Sequence, residues 1–600
     1  MSPAGAACLV NSVQLSSSTP IVGCELSPYI LLRREDGSTV AAAKQRGQAQ
    51  AQQQNGELPL QHRWYRRVPP GAGEPCWATG RAATLQFVGS PKFNVPQFHA
   101  AGADAFRTLW KLYHRRAAQG GDALSPQEAG LIRQTVRRPS RMGDPSAGKT
   151  LWVEVGRQRA YAPTQEDVGH RLRFECRAAA LAAPAGANNG AGAAPQQHAA
   201  FVETDAVLPA PEPLERLRVP VEPMHADGTP AQVNALGRFS VLSFNVLADL
   251  YATKEQYSYC APWALTWAYR RQNLLRELLS HEADILCLQE VQSDHFEDFF
   301  QPEMSRRGYS AVYKKKTGEI YTGTGSGYAI DGCATFFRRD RFSLVKKYEV
   351  EFNKAALSLS EGVPPEKRKA ALNRLLKDNV ALIAVLEALE PHDAEAAAAG
   401  KRQLVCIANT HIHANPELND VKLWQVHTLL KGLEKIAASA DIPMIVAGDL
   451  NSVPGSAAHS LLARGRVDAQ HPELGTDPLG ILRPASKLSH QLPLVSAYSH
   501  MALARAGPGV TAAKAEAQRK ALDRATSEPP FTNVTHDFVG TLDYIFYTAP
   551  SLVPVALLEL VRSEQLADGK GGRPGLPNGQ CSSDHLPLLA EFATFVNRKN

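Results

Sequence analysis

Phe239-Ser240-Val241-Leu242-Ser243-Phe244-Asn245 is a nearly continuous apolar run that closes on an amide. Such a run fits a strand buried on both faces, and Asn245 is a residue that a core would not choose. The same pattern recurs down the chain. Ile285-Leu286-Cys287-Leu288 is followed by Gln289-Glu290, Leu404 to Ala408 by Thr410-His411, and Met444 to Ala447 by Gly448-Asp449-Leu450-Asn451. Later, Asp543 immediately precedes Tyr544-Ile545-Phe546-Tyr547, and Ser583-Asp584-His585 precedes Leu588-Leu589-Ala590-Glu591-Phe592. Between the first two strands, Trp267 to Leu279 spaces Leu274, Leu275, Leu278 and Leu279 as one helix face. Strands alternating with helices predict a layered α/β domain over 237–600, in which strand ends far apart in sequence can share one rim.

The polar groups at those ends match what metal-assisted phosphodiester hydrolysis needs. Carboxylates hold Mg²⁺, which prefers hard oxygen ligands, and histidine or asparagine donates to phosphoryl oxygens as charge develops. Each residue alone has a duller reading. Asp449 could cap a turn, Glu290 could be a solvated charge, His411 and His413 could be surface histidines, and Asp584 could belong to a turn. Six polar groups in order, each adjoining a buried strand, make coincidence the weaker account.

Working outward, the proline-dense run from Leu208 to Pro230 reads as a boundary, with 206–236 as an extended linker that packs into neither side. Before it, 20–205 reads as a small β-sandwich-like domain. Tyr29-Ile30-Leu31-Leu32 and His62-Arg63-Trp64-Tyr65 have strand length, and Leu172-Arg173-Phe174-Glu175-Cys176 alternates strictly. Alanine-, glycine- and glutamine-rich stretches at 41–55, 178–200, 393–400, 502–526 and 564–580 read as loops. Nine scattered cysteines without a C-x-x-C pair suggest reduced thiols in a cytosolic or nuclear protein. No apolar run approaches the ~18 residues of a membrane span, so no membrane is expected. A net charge of +6 on 600 residues permits a polyanionic partner without demanding one.

Longer motifs narrow the reading. Ser243-Phe244-Asn245-Val246-Leu247-Ala248-Asp249, Cys287-Leu288-Gln289-Glu290-Val291-Gln292 and Asp331-Gly332-Cys333-Ala334-Thr335-Phe336-Phe337 carry it. So do Asp420-Val421-Lys422-Leu423 and Phe538-Val539-Gly540-Thr541-Leu542-Asp543-Tyr544-Ile545-Phe546. With them the chain resembles the endonuclease/exonuclease/phosphatase superfamily, in its deadenylase branch of the carbon catabolite repressor four type. The N-terminal part is similar to the green-plant type of that enzyme.

The resemblance implies a four-layered, DNase I-like α/β sandwich and a Mg²⁺-dependent 3′→5′ exoribonuclease, with Mn²⁺ able to substitute. Its substrate would be the single-stranded poly(A) tail of mRNA, degraded to 5′-AMP, and its partners the other subunits of a cytoplasmic multi-subunit deadenylase complex. Carried over, the metal-binding glutamate falls on Glu290, and the catalytic aspartate, which also approaches metal, on Asp449. Phosphate and metal-shell roles fall on Asn245, His411, Asn451, Asp543 and His585, with Asp584 orienting His585. The terminal adenine is expected between Phe538 and Pro416, with Asn533 nearby, since bases stack on flat rings. Relatives carry a cysteine/histidine finger in the region of 76–118. Only Cys76, His99 and His114 stand there, too few for a closed four-ligand site, so no zinc is expected. Ala414 and Ser326 depart from residues that relatives use near the nucleotide. A sister nuclease, a nucleotide-cofactor phosphatase of the same superfamily, or an inactive scaffold remain as alternatives.

Overall fold

The computed structural model describes residues 9–33, 39–41, 60–68, 86–87, 96–97, 151–178 and 199–595, without 16–17, 226–227, 319, 322–327, 362–363, 390–401, 441 and 567–574. The chain divides into two compact units, Met1–Ala210 and Pro211–Asn600. No described helix is long and apolar enough to cross a membrane. Of the described cysteines, Cys176, Cys260, Cys287, Cys333, Cys406 and Cys581 are free thiols.

In the first unit, Leu60–Val68 lies between Leu151–Gly156 and Arg171–Ala178, with Ala200–Ala206 beyond, all antiparallel. Leu9–Gln14, Tyr29–Arg33 and Thr39–Ala41 form a smaller sheet. The two-residue strand period puts Trp64, Leu172, Phe174 and Cys176 on one face, where they pack with Val10, Ile30 and Leu32. Ahead of Arg171–Ala178, the buried Asp167 carboxylate fixes the turn, accepting from Tyr161 Oη and Thr164 N, each at 2.8 Å. The finger positions Cys76, His99 and His114 lie outside the described residues, as does Ser326.

In the second unit, β1 (Arg218–Pro220), β2 (Val233–Asn245), β3 (Ile285–Gln292), β4 (Tyr309–Lys315) and β5 (Asp331–Arg338) begin one sheet. A second is made by β6 (Phe342–Glu351), β7 (Val380–Ala388), β8 (Leu404–His411), β9 (Met444–Asp449), β10 (Leu494–Ser496) and β11 (Asp543–Thr548). Then β12 (Leu552–Leu558) and β13 (Leu588–Phe595) return to the first, giving it the order β1-β12-β13-β2-β3-β5-β4. The second runs β6-β7-β8-β9-β11-β10. Each sheet holds one parallel pair, β2 with β3 and β8 with β9, flanked by antiparallel neighbours.

Alternation along the strands sorts the side chains into layers. Val241, Ile285 and Cys287 meet Ile407, Ile445 and Ala447 in the core between the sheets. Leu242, Phe244, Leu286 and Leu288 point the other way, packing with Leu274 and Leu278 of α1 (Trp267–Ser280). On the far side, Cys406, Ala408 and Val446 are covered by Val421, Leu429 and Leu433 of α2 (Asn419–Ser439). The layers run helix, sheet, sheet, helix, which is the expected four-layered α/β sandwich.

Two stretches differ from expectation. Within 206–236, Arg218–Pro220 is strand β1, paired with β12, and the Arg216 guanidinium donates to Glu559 O at 2.9 Å and Pro587 O at 2.7 Å. Extended chain presents a free row of N–H and C=O groups, and an open sheet edge captures it. The 502–526 stretch, expected as loop, contains a helix over Ala512–Ala521. Alanine is the strongest helix former, and Thr511 Oγ1 caps the first turn by accepting from Lys514 N at 3.2 Å.

One buried polar link joins the sheets. Asn409 Nδ2 donates to Leu288 O at 3.1 Å and Ala334 O at 3.0 Å, and its oxygen accepts from Gln289 Nε2 at 2.9 Å. Both amides are fully buried. Asn409→Leu keeps the branched shape and orphans those groups, so unfolding free energy should fall by about 3 kcal/mol. A urea midpoint equal to the wild type would show that the link adds nothing.

Candidate active site

The C-terminal ends of both parallel pairs meet at one rim. Register sets Asn245 beside Gln289 and His411 beside Asp449, while Asp449 also pairs with Asp543 at the start of β11. Gly448 permits this approach: its φ is +148°, and a Cβ there would come within 2.0 Å of Thr410 O. Leu247, Glu290 and Asn451 stand at φ 55°, 57° and 46°. Left-handed backbone in such residues costs about 1–3 kcal/mol and persists only where the surroundings impose it. Around Asn451 they do. Its N–H donates to Asp449 Oδ1 at 2.8 Å, its Nδ2 to Ile412 O at 2.9 Å, and the buried Lys422 ammonium donates to its carbonyl at 2.6 Å. Lys422 is set by α2, whose Asp420 is held by Arg374 through contacts of 2.5 and 2.8 Å.

A single amide ties the two expected metal carboxylates together. Asn245 Nδ2 donates to Glu290 Oε1 and to Asp449 Oδ2, each at 3.0 Å. The other Glu290 oxygen accepts from Ala248 N at 2.9 Å. Beside them, His585 Nδ1 lies 2.7 Å from Asp543 Oδ2, which also accepts from Thr532 Oγ1 at 2.6 Å. His411 Nε2 and His585 Nε2 stand 3.6 and 3.7 Å from Asp449 Oδ2.

The expectation that Asp584 orients His585 is corrected here, because Asp543 does so. Asp584 instead accepts from Tyr257 Oη at 2.9 Å and Asn533 Nδ2 at 3.2 Å. Asp584 lies in a bend just before His585, which bridges to Asn533, and the two side chains take different partners. Asn533 lines the cavity with its amide nitrogen turned to Asp584.

Charge in the site is balanced rather than uniformly negative. Burial pushes the Asp449 carboxyl up to about 7, Asp543 adding to the shift and His585 opposing it. Burial likewise raises Glu290, with Asp331 adding to it and Lys316 working against both. Burial would depress His585, but Asp543, Asp584 and Asp449 outweigh it and hold the imidazole well above the ordinary histidine range. His411 is held well below that range by burial and by Lys316. One imidazole is therefore charged and the other neutral. Lys316 was not foreseen, because Lys314-Lys315-Lys316 reads as a solvated run. Its ammonium sits 2.7 Å from Asp331 Oδ2, and Tyr251 Oη donates to Asp331 Oδ1 at 3.1 Å.

These groups line a cavity of 520 Å³ that includes Glu290, Lys316, Asp331, His411, His413, Ala414, Asp449, Asn451, Asn533, Asp584 and His585. Pro416 and Phe538 are not among its walls. Both are exposed, and Phe538 packs over its own hairpin, where a Cβ on Gly540 would come within 2.7 Å of Phe538 Cζ. Ligand atoms of Asp449, Asp543 and His585 lie within 4.8 Å of one another. Mg²⁺ prefers oxygen donors to an imidazole, and His585 Nδ1 is already taken up by Asp543. The oxygens of Glu290 and Asp449, joined by Asn245, therefore suit a hard divalent cation better, and the unpartnered buried oxygen Asp543 Oδ1 is a further donor at hand.

A carboxyl raised above its ordinary range favours folding while protonated, and this contribution is lost as pH climbs through the raised value. With Asp449 at about 7, metal-free protein should lose stability between pH 5 and pH 8. A cation needs the ionised form, so MgCl₂ should raise Tm more at pH 8 than at pH 5. Asp449→Asn should flatten both trends in thermal melts. Equal metal-induced shifts at the two pH values in the wild type would refute the assignment.

Among known proteins, a model of the Endonuclease/Exonuclease/phosphatase family matches residues 242–585. Carbon catabolite repressor protein 4 homolog 1 of Arabidopsis thaliana is 48% identical over 615 residues, spanning 97% of this chain and 98% of that protein. The CCR4-Not complex 3′-5′-exoribonuclease subunit Ccr4 of Candida albicans is 33% identical, over 60% of this chain and 42% of that one. In the solved structure of ANGEL2, a 2′,3′-cyclic phosphatase with adenosine-2′,3′-vanadate, identity is 28% and the TM-score 0.47, over 64% of this chain and 99% of that one.

Proposed function

The chain belongs to the endonuclease/exonuclease/phosphatase family as a nuclease of the carbon catabolite repressor 4 type, and on that premise we propose that it shortens poly(A) tails of mRNA from the 3′ end, releasing 5′-AMP with Mg²⁺ bound. The observation that carries the reading is the Asn245 bridge between Glu290 and Asp449, set against a charged His585 and a neutral His411. Relatives bear the names of CCR4-Not subunits, and an assembly of the same kind is proposed for this chain.

Glu290 and Asp449 would hold the cation, which when bound neutralises charge on the phosphoryl group. Asp449 accepts a proton from the attacking water. His585 donates Nε2–H to a phosphoryl oxygen while Asp543 holds its other nitrogen, and His411 adds a neutral donor. Net, the water hydroxyl joins phosphorus as the P–O3′ bond breaks, and the water proton ends on the new 3′-hydroxyl. Asn245 and Asn451 keep the carboxylates in place. Phe538 and Pro416, both exposed and outside the cavity walls, are the proposed stacking partners of the terminal base.

The test uses 5′-labelled RNA ending in a run of adenosines or in a run of another base. The wild type with Mg²⁺ should shorten the A-run stepwise and stall with EDTA, and Asp449→Asn should lower kcat by about 10²–10⁴-fold. Phe538→Ala should raise KM on every tail, since stacking supplies affinity to any base. Equal kcat/KM for both tails in the wild type would make it a general exonuclease and sink the deadenylase reading.

A further inference from the structure

The charge of the chain is unevenly placed. Residues 1–210 hold 23 Lys and Arg against 15 Asp and Glu, a net +8, whereas residues 211–600 hold 42 against 44. The unit that carries the nuclease site is slightly acidic, and the whole basic excess sits in the other unit.

Within that unit, the four-stranded sheet turns one face to the core through Trp64, Leu172, Phe174 and Cys176. Its other face carries aromatic rings and arginines that the core does not use. Register places Arg67 beside Trp152, and Tyr65 beside Arg173, which faces Glu203 in turn. The Arg173 guanidinium lies over the Trp152 ring at 4.5 Å and the Phe201 ring at 4.4 Å, and Phe201 is 56% exposed. Arg171 and Arg177 alternate with Arg173 along the same strand.

We propose that this outer sheet face binds single-stranded RNA upstream of the tail end, as a second contact separate from the nuclease site. The inference rests on the RNA-directed reading above. Bases stack on exposed rings and on guanidinium planes without regard to sequence, and Arg171, Arg173 and Arg177 on the face meet the phosphates. Glu175 and Glu203 on the same face each pair with an arginine, so they fix the array in place.

Binding is read by anisotropy of labelled A20 and A4 on the full-length protein in EDTA, where no cleavage intervenes. Trp152→Ala with Phe201→Ala should weaken A20 about tenfold, the scale of one or two lost stacking contacts, and leave A4 and its kcat/KM unchanged. Arg171→Glu with Arg177→Glu, both solvent-facing changes, should also reduce the salt dependence of A20 binding, by about one in the slope of log affinity against log salt. Wild-type affinity for A20 in both variants would overturn the proposal, including the case in which the face serves a protein partner instead. Loss of A20 binding in a protein that fails to shorten A-tails would sink the deadenylase reading and leave this one standing.

Discussion

Everything at the rim depends on the two sheets being held at one height, and the Asn409–Gln289 link sets it. Gln289 immediately precedes Glu290, and Asn409 lies two residues before His411. Apolar packing between sheets tolerates sliding, because dispersion has no preferred register. A buried amide does not, since each group must meet its partner or stand unpaired in a dry interior. The link therefore converts a slippery contact into a fixed one directly behind the carboxylates. Above it, Asn245 repeats the device in the site itself, joining Glu290 from the first sheet to Asp449 from the second.

The parts legible in sequence were those whose physics is local. β2, β3, β8, β9 and β11 are buried on both faces, so their apolar runs stand out, and the polar residue that ends or begins each run marks the rim. Asn245, Glu290, His411, Asp449, Asn451, Asp543 and His585 were all named on that ground or by resemblance. β6 is not legible in sequence, because half of its residues are exposed and it has no apolar run.

Roles that depend on direction were harder to read. Asp584 and His585 are neighbours in sequence, and only the tertiary fold shows that they take different partners. Lys316 and Lys422 look like surface lysines in the sequence, yet one balances the acidic floor and the other holds the Asn451 carbonyl. The tertiary fold decides such cases by burying an ammonium where a specific oxygen waits. The proline-rich 206–236 stretch failed for a related reason. Composition predicts extended chain correctly, but it does not say whether an open edge lies within reach.

The order of strands in the first sheet has a consequence in time. β13 lies between β12 and β2, and His585 stands just ahead of it. As the ribosome delivers the chain, β2 is made well before β13 and lacks that neighbour until β13 emerges. The nascent protein thus holds most of the carboxylates of its site without the imidazole that completes them. Closing the first sheet and completing the site are therefore one event, because β13 brings His585 with it.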